Sequence, residues 1–167
     1  YTIKNLPIKF NKPPAILSWQ NGKYIKADGI FCEVITKRKN IYKCKKINKD
    51  GIFYVVDVNG VTSHGKTIKE AKKDLIYKIT DRDTSKYKGM KVEDTITFEE
   101  AVKMYRVITG SCEFGVKDFV ENRLAKKKKT YTIQEVIDLT NGEYGNEMLA
   151  DFFKGEWKMK TKLQNAF

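Results

Sequence analysis

The hydrophobic period of this chain changes once, near Gly65, and that change constrains the fold more than any other feature. Between Ile16 and Val61 the residues are β-branched and aromatic in short runs, broken at Asn21-Gly22, Asp28-Gly29, the polar run Lys37 to Asn40, Asp50-Gly51 and Asn59-Gly60. Short apolar runs between turn residues read as an antiparallel meander. The expected strands cover about 16–19, 23–27, 30–36, 41–47 and 52–58, with a two-residue type I′ turn at Asn21-Gly22 closing the first hairpin. Side chains two apart share a face of a strand. The alternation therefore predicts a buried face of Ile30, Cys32, Val34, Tyr42, Cys44, Ile52, Tyr54, Val56 and Val58, and an outer face holding Phe31, Ile35, Phe53 and Val55.

Beyond Gly65 the apolar residues recur at helical spacing. Three starts carry a threonine followed three residues later by a glutamate: Thr67/Glu70, Thr97/Glu100 and Thr132/Glu135. In such a box the hydroxyl accepts a first-turn amide and the carboxylate reaches back to the cap. The spacing predicts helices over 68–82, with Ile68, Ala71, Leu75 and Ile79 on one stripe, and over 98–109, stopped by Gly110. A third helix capped by Ser111 runs to Leu124, a fourth opens at Thr132 and ends at Asn141-Gly142, and a fifth covers Gly145 to Lys154. The whole reads as an α+β domain: an antiparallel β region over 1–62 packed against about five short helices over 63–155, with a tail over 156–167.

Three cysteines and one histidine give neither a disulfide framework nor the ligands of a structural zinc site. No cofactor or metal is expected. The longest wholly apolar run, Ile52 to Val56, is far short of the roughly 20 residues that span a bilayer. The expectation is a soluble protein of a reducing, cytoplasmic compartment, with no membrane partner.

Gly60-Val-Thr-Ser-His-Gly65-Lys66-Thr67 matches the phosphate-loop pattern between a predicted strand and a predicted helix. A working loop also needs a mostly parallel sheet and a later strand ending in an aspartate, and neither is visible. A turn followed by a helix cap at Thr67 accounts for the same residues. His64 offers the one imidazole for acid–base chemistry, yet no Ser, Cys or Asp partner can be assigned by spacing, and a polar turn residue is the simpler reading. Glu93/Asp94 and Glu99/Glu100 are adjacent pairs whose side chains diverge. Cys32 and Cys44 fall on one predicted face of neighbouring strands, as two thiols in a core. No constellation indicates an enzyme. The segment 131–153 has the outline of a helix-turn-helix, but Glu147 and Asp151 make its second helix a poor major-groove surface, so it is assigned to packing or to a protein partner.

Charge is the strongest functional signal. The net charge is +12, and residues 1–66 hold 13 basic against 4 acidic side chains. Lysines outnumber arginines 29 to 4, and lysine meets phosphate as a point charge without the forked geometry that reads bases. Seven of the thirteen residues from Lys37 to Lys49 are basic and none is acidic. On a hairpin, Lys43 and Lys45 share the face opposite Tyr42 and Cys44, with Lys37, Arg38 and Lys39 at the tip. Lys46 and Lys49 extend this ridge, and Lys126, Lys127, Lys128 and Lys129 form a second basic run between two helices. Lysines beside aromatic surface are what binders of single-stranded nucleic acid use. The same lysines would also keep an edge strand soluble and unpaired.

The stretches HGKTIKEAKKDLIYKI (64–79), TFEEAVKMYRVITGSCEFGVKDFVE (97–121) and YTIQEVIDLTNGEYGNEMLADFF (131–153) together resemble small proteins of bacteriophages and gut-bacterial prophages. Some of these inhibit bacterial immunity, among them anti-CRISPR proteins that block the RNA-guided nuclease Cas9. The resemblance covers roughly residues 60–153. It implies a non-enzymatic inhibitor in the cytoplasm of a bacterial host, partnered by a Cas9-type ribonucleoprotein or its nucleic acid, and it assigns no individual residue a role. The alternative from charge alone is sequence-independent binding of DNA or RNA.

Overall fold

A computed structural model of the chain describes residues 16–154. The first 15 residues of the expected β region and the expected tail over 156–167 lie outside the described residues. Six strands, β1 (Ile16–Trp19), β2 (Tyr24–Ala27), β3 (Ile30–Arg38), β4 (Ile41–Lys46), β5 (Ile52–Val58) and β6 (Val61–Gly65), form one antiparallel sheet in chain order. Among the described residues five helices follow: α1 (Ile68–Ile79), α2 (Phe98–Thr109), α3 (Glu113–Asn122), α4 (Ile133–Leu139) and α5 (Asn146–Lys154). The fold is α+β. A small antiparallel pair, β7 (Thr95–Thr97) with β8 (Thr130–Thr132), is added among the helices.

The turns explain the meander. Asp28-Gly29 and Asn59-Gly60 are two-residue connections with both residues at positive φ, so their twist matches that of the strands they join. Asn21-Gly22 behaves differently from its expected type I′ turn: Trp19 pairs with Tyr24, so four residues make the turn. β6 was not foreseen, because Thr62, Ser63 and His64 are polar. They become a strand because pairing with β5 satisfies their backbone while helices cover them.

One face assignment is reversed. Cys44 pairs with Phe53, which puts Phe53 and Val55 on the cysteine face at 2% and 0% exposure, while Ile52 is 42% exposed on the opposite face. Alternation ties Ile52 to Tyr54 and Val56, but the connection after β4 sets which face they take. Cys44 lies opposite Val34 and Cys32 opposite Lys46, with a bulge at Ile35, so the two free thiols are diagonal neighbours and not a direct pair. The neighbouring Cys32 sulfur and burial push the Cys44 thiol up.

Both faces of the sheet are used. Phe114 of α3 stacks on Phe53, ring centroids 4.9 Å apart, over a cluster with Ile25, Cys32, Cys44 and Val55. On the other face α1 lays Ala71 and Leu75 against Val56 at the β5–β6 end. Full burial of such side chains contributes about 1.5–3 kcal/mol each. The third cluster, centred on Met104, Ile133 and Leu149, belongs to α2, α4, α5 and the β7–β8 pair. Ile133, Val136, Leu149 and Phe152 are consumed in it, so residues 131–153 pack as helices of the core.

All three threonine caps form: Thr67, Thr97 and Thr132 each accept the amide three residues on, at 3.1 Å. Only Thr132/Glu135 closes the reciprocal box, Thr132 N–H donating to Glu135 at 2.8 Å. Glu70 accepts from Lys66 N–H instead, and Glu100 from Lys86 and Tyr87. α3 is capped by the Cys112 sulfur and not by Ser111, whose hydroxyl is held by Thr109.

Candidate nucleic-acid interface

Because α1 covers only the β5–β6 end of its side of the sheet, the same face over β1–β4 carries no helix among the described residues. Cross-strand register assembles it row by row. Trp19, Tyr24, Glu33, Lys45 and Ile52 stand opposite one another in one row across five strands. Leu17, Lys26 and Phe31 make a second row, and Thr36, Lys43 and Tyr54 a third. Directly opposed side chains are within contact reach. Phe31 meets Trp19 edge-on with centroids 5.3 Å apart and stacks on Tyr24 at 5.8 Å. Trp19 and Phe31 are each 44% exposed, and Lys23 lies 5.3 Å from the Tyr24 ring.

The structure divides the basic ridge. Lys43 and Lys45 do share the face opposite Tyr42 and Cys44, beside the exposed Phe31 and Ile35. Phe53 and Val55 are absent from it, for the register reason above, and Trp19, Tyr24, Ile52 and Tyr54 take their place. Arg38 and Lys39 are exposed at the hairpin tip. Lys46 points to the α3 side, where Asp118 pairs with it, and Lys49 donates to Asn122. Lys37 rests 5.1 Å from the Tyr42 ring on that side too. The run Lys126 to Lys129 is exposed in the helical half: Lys127 lies 4.0 Å from the Phe98 ring and Lys128 pairs with Glu135. The sequence expectation leaves Trp19 and Tyr24 off this face, although a turn of two or of four residues centred on Asn21-Gly22 pairs Trp19 with Tyr24 alike, and Asp28-Gly29 sets Tyr24 opposite Glu33.

The phosphate-loop match is not a loop. Val61 to Gly65 is stretched along β5, with Ser63 opposite Val56 and Gly65 opposite Tyr54, so successive amides alternate in direction and cannot converge on one phosphate. Thr67 is engaged as the α1 cap.

His64 is in β6 and not in a turn, 1% exposed, its ring beside the stacked Phe53 and Phe114 rings with centroids 6.0 and 5.9 Å away. Its Nδ1 is 3.7 Å from Cys112 Sγ and 3.9 Å from Asp28 Oδ2. Burial lowers the imidazole's affinity for a proton, but the Cys112 sulfur and the Asp28 carboxylate outweigh it and hold the group above its ordinary value, against Lys78. This pair had no sequence signal, since 48 residues separate its members. Among the described residues, no three His, Cys, Asp or Glu side chains are grouped to hold a metal ion, and no helix is long and apolar enough to cross a membrane. No known protein family, curated protein or solved structure matches the chain.

Proposed function

We propose that the open face over β1–β4 binds single-stranded nucleic acid without reading its sequence, as a non-enzymatic binding surface. The observation that carries this reading is the contact series Trp19–Phe31–Tyr24 on the same face as Lys26, Lys43 and Lys45. Any base has a π-face, and stacking on an aromatic ring is worth about 1–3 kcal/mol per base. The three ammonium groups supply point charges for phosphates, while Glu33, opposite Lys45, limits the field of the central row. Arg38 and Lys39 extend the field at the hairpin tip.

The resemblance to phage anti-defence proteins supplies a setting. On this reading the face engages the guide or target strand of a Cas9-type ribonucleoprotein, and the chain lowers target cleavage.

Fluorescence anisotropy with labelled single-stranded DNA and RNA tests the binding. Trp19→Ala and Phe31→Ala should each weaken it by about tenfold. The joint replacement of Lys26, Lys43 and Lys45 by Glu should abolish it, and the parent's salt slope should be about −2. Variants that bind like the parent, or a parent that does not bind at low salt, overturn the reading. Loss of Cas9 inhibition in the same variants tests the setting separately.

A further inference from the structure

Three independent features meet at Cys112, and the nucleic-acid face uses none of them. The sulfur caps α3, accepting the Gly115 N–H at 3.3 Å, so a thiolate there faces the positive end of the helix. The His64 imidazole is in reach of the same sulfur, and its other nitrogen, Nε2, is buried with no hydrogen-bond partner among the described residues. On the helical side, Cys112 forms part of the wall of a cleft lined by apolar side chains including Tyr105, Val116, Phe119, Val120 and Leu124. About 90 Å³ of the cleft can be reached by the centre of a water-sized molecule.

A structural thiol in a core is ordinarily inert and holds its proton. Cys112 differs from Cys32 and Cys44 in its setting, a helix cap at a cleft wall: those two are diagonal neighbours in an apolar cluster, where the Cys44 sulfur and the His64 charge lower the Cys32 thiol too. Burial raises the Cys112 thiol, but the hydrogen bond and charge of His64 lower it more, leaving it below its ordinary value. The groups that face this pair are Asp28, from the β2–β3 turn, Lys78, from α1, and Cys32, from β3, on which the His64 charge also acts. Lys78 is itself bonded to Asp28 at 2.8 Å, which leaves the carboxylate shared between the ammonium and the imidazole.

We propose that Cys112 is an acyl-accepting nucleophile that takes the acyl group of an aliphatic acyl thioester, the chain lying in the apolar cleft. The Cys112 sulfur forms a bond to the carbonyl carbon, and the bond from that carbon to the donor's sulfur breaks. The departing thiolate takes the proton of His64, leaving a neutral imidazole and a thioester on Cys112. Bond count and charge balance, and no oxidant is needed. The cleft favours an aliphatic chain, which has no N–H or C=O to satisfy, along its Val116, Phe119, Val120 and Leu124 side, while Asp28, Ser111, Arg123, Thr140 and Glu143 complete the lining. The arrangement parallels that of cysteine nucleophiles activated by a neighbouring imidazole and a helix N-terminus.

Hexanoyl-coenzyme A incubated with the full chain, followed by intact-mass and peptide analysis, tests this. The expected result is one hexanoyl group on Cys112, released by hydroxylamine and absent in Cys112→Ser. His64→Gln should slow the transfer by about 100-fold and move the midpoint of its pH–rate profile upward. Val116→Trp should block hexanoyl transfer while iodoacetamide still alkylates Cys112. An unmodified Cys112 in the folded chain, or equal labelling of Cys32 and Cys44, overturns the proposal. If the His64→Gln variant loses its circular dichroism, the pH–rate profile of the unaltered chain decides: a midpoint at the ordinary thiol value counts against the ion pair and against the proposal.

Discussion

Lys78 Nζ donates to Asp28 Oδ2 at 2.8 Å and ties helix α1 to the β2–β3 turn. The same ammonium donates to the Thr62 carbonyl at 2.7 Å and lies 3.6 Å from the centre of the Tyr144 ring, so one side chain, 4% exposed, joins sheet and helical half.

Removing Lys78 leaves Asp28 only the His64 imidazole, 3.9 Å away, and removing Asp28 leaves the Lys78 ammonium without its carboxylate in a largely dry site. Lys78→Met and Asp28→Asn should each destabilise the protein by about 3 kcal/mol, and the double variant by less than the sum. Urea unfolding measures both. Single losses under about 1 kcal/mol would mean that water already solvates the pair.

The reversed face of β5 has a direct consequence. Phe53→Ala removes a ring stacked on Phe114 and should cost about 3–5 kcal/mol. Ile52→Ala, one residue away on the open face, should stay within about 0.5 kcal/mol. The opposite order would restore the register expected from alternation.

Gly65 serves packing. A Cβ there would overlap the Ala71 amide nitrogen and fall 2.8 Å from the Thr67 carbonyl oxygen, forcing α1 away from β6. Gly65→Ala should therefore destabilise by about 1–3 kcal/mol. Lys66→Ala should leave stability within about 0.5 kcal/mol, and titration calorimetry of the parent with ATP should give no binding heat. Saturable ATP binding lost on Lys66→Ala would contradict the strand reading of Val61 to Gly65.

Glu100 gives the acid limb of stability a defined contribution. Hydrogen bonds from Lys86 and Tyr87 hold its carboxyl below the ordinary 4.5. A depressed carboxyl stabilises the fold above the unfolded-chain value, and that contribution is lost as pH falls through the lower, folded value. Glu100→Gln should flatten the decline of Tm between about pH 5 and pH 3, with little change in slope at pH 7 and above. An unaltered acid limb would show that water screens these contacts fully.

Much of the fold is written locally. The bounds of α2, from the Thr97 cap to the left-handed Gly110, follow from residues adjacent in the chain, as do the turns at Asp28-Gly29 and Asn59-Gly60. The site was legible only in part. Lys43 and Lys45 fall on one face by simple alternation, whereas Ile52 and Tyr54 join that face only because the connection after β4 pairs Lys45 with Ile52 and Lys43 with Tyr54. The Cys112–His64 contact depends on α3 settling across β6, with Phe114 on the Phe53 ring.

The sequence by itself determined the class of each half, the helix starts and the basic excess of the first 66 residues, because caps, turns and alternation act over a few residues. Tertiary structure alone decided which face of β5 is buried, that Thr62, Ser63 and His64 make a strand, and which lysines remain open to solvent. Those outcomes hang on register and on partners distant in the chain: Asp118 reaches Lys46 from 72 residues away, and no local pattern of residues encodes that distance.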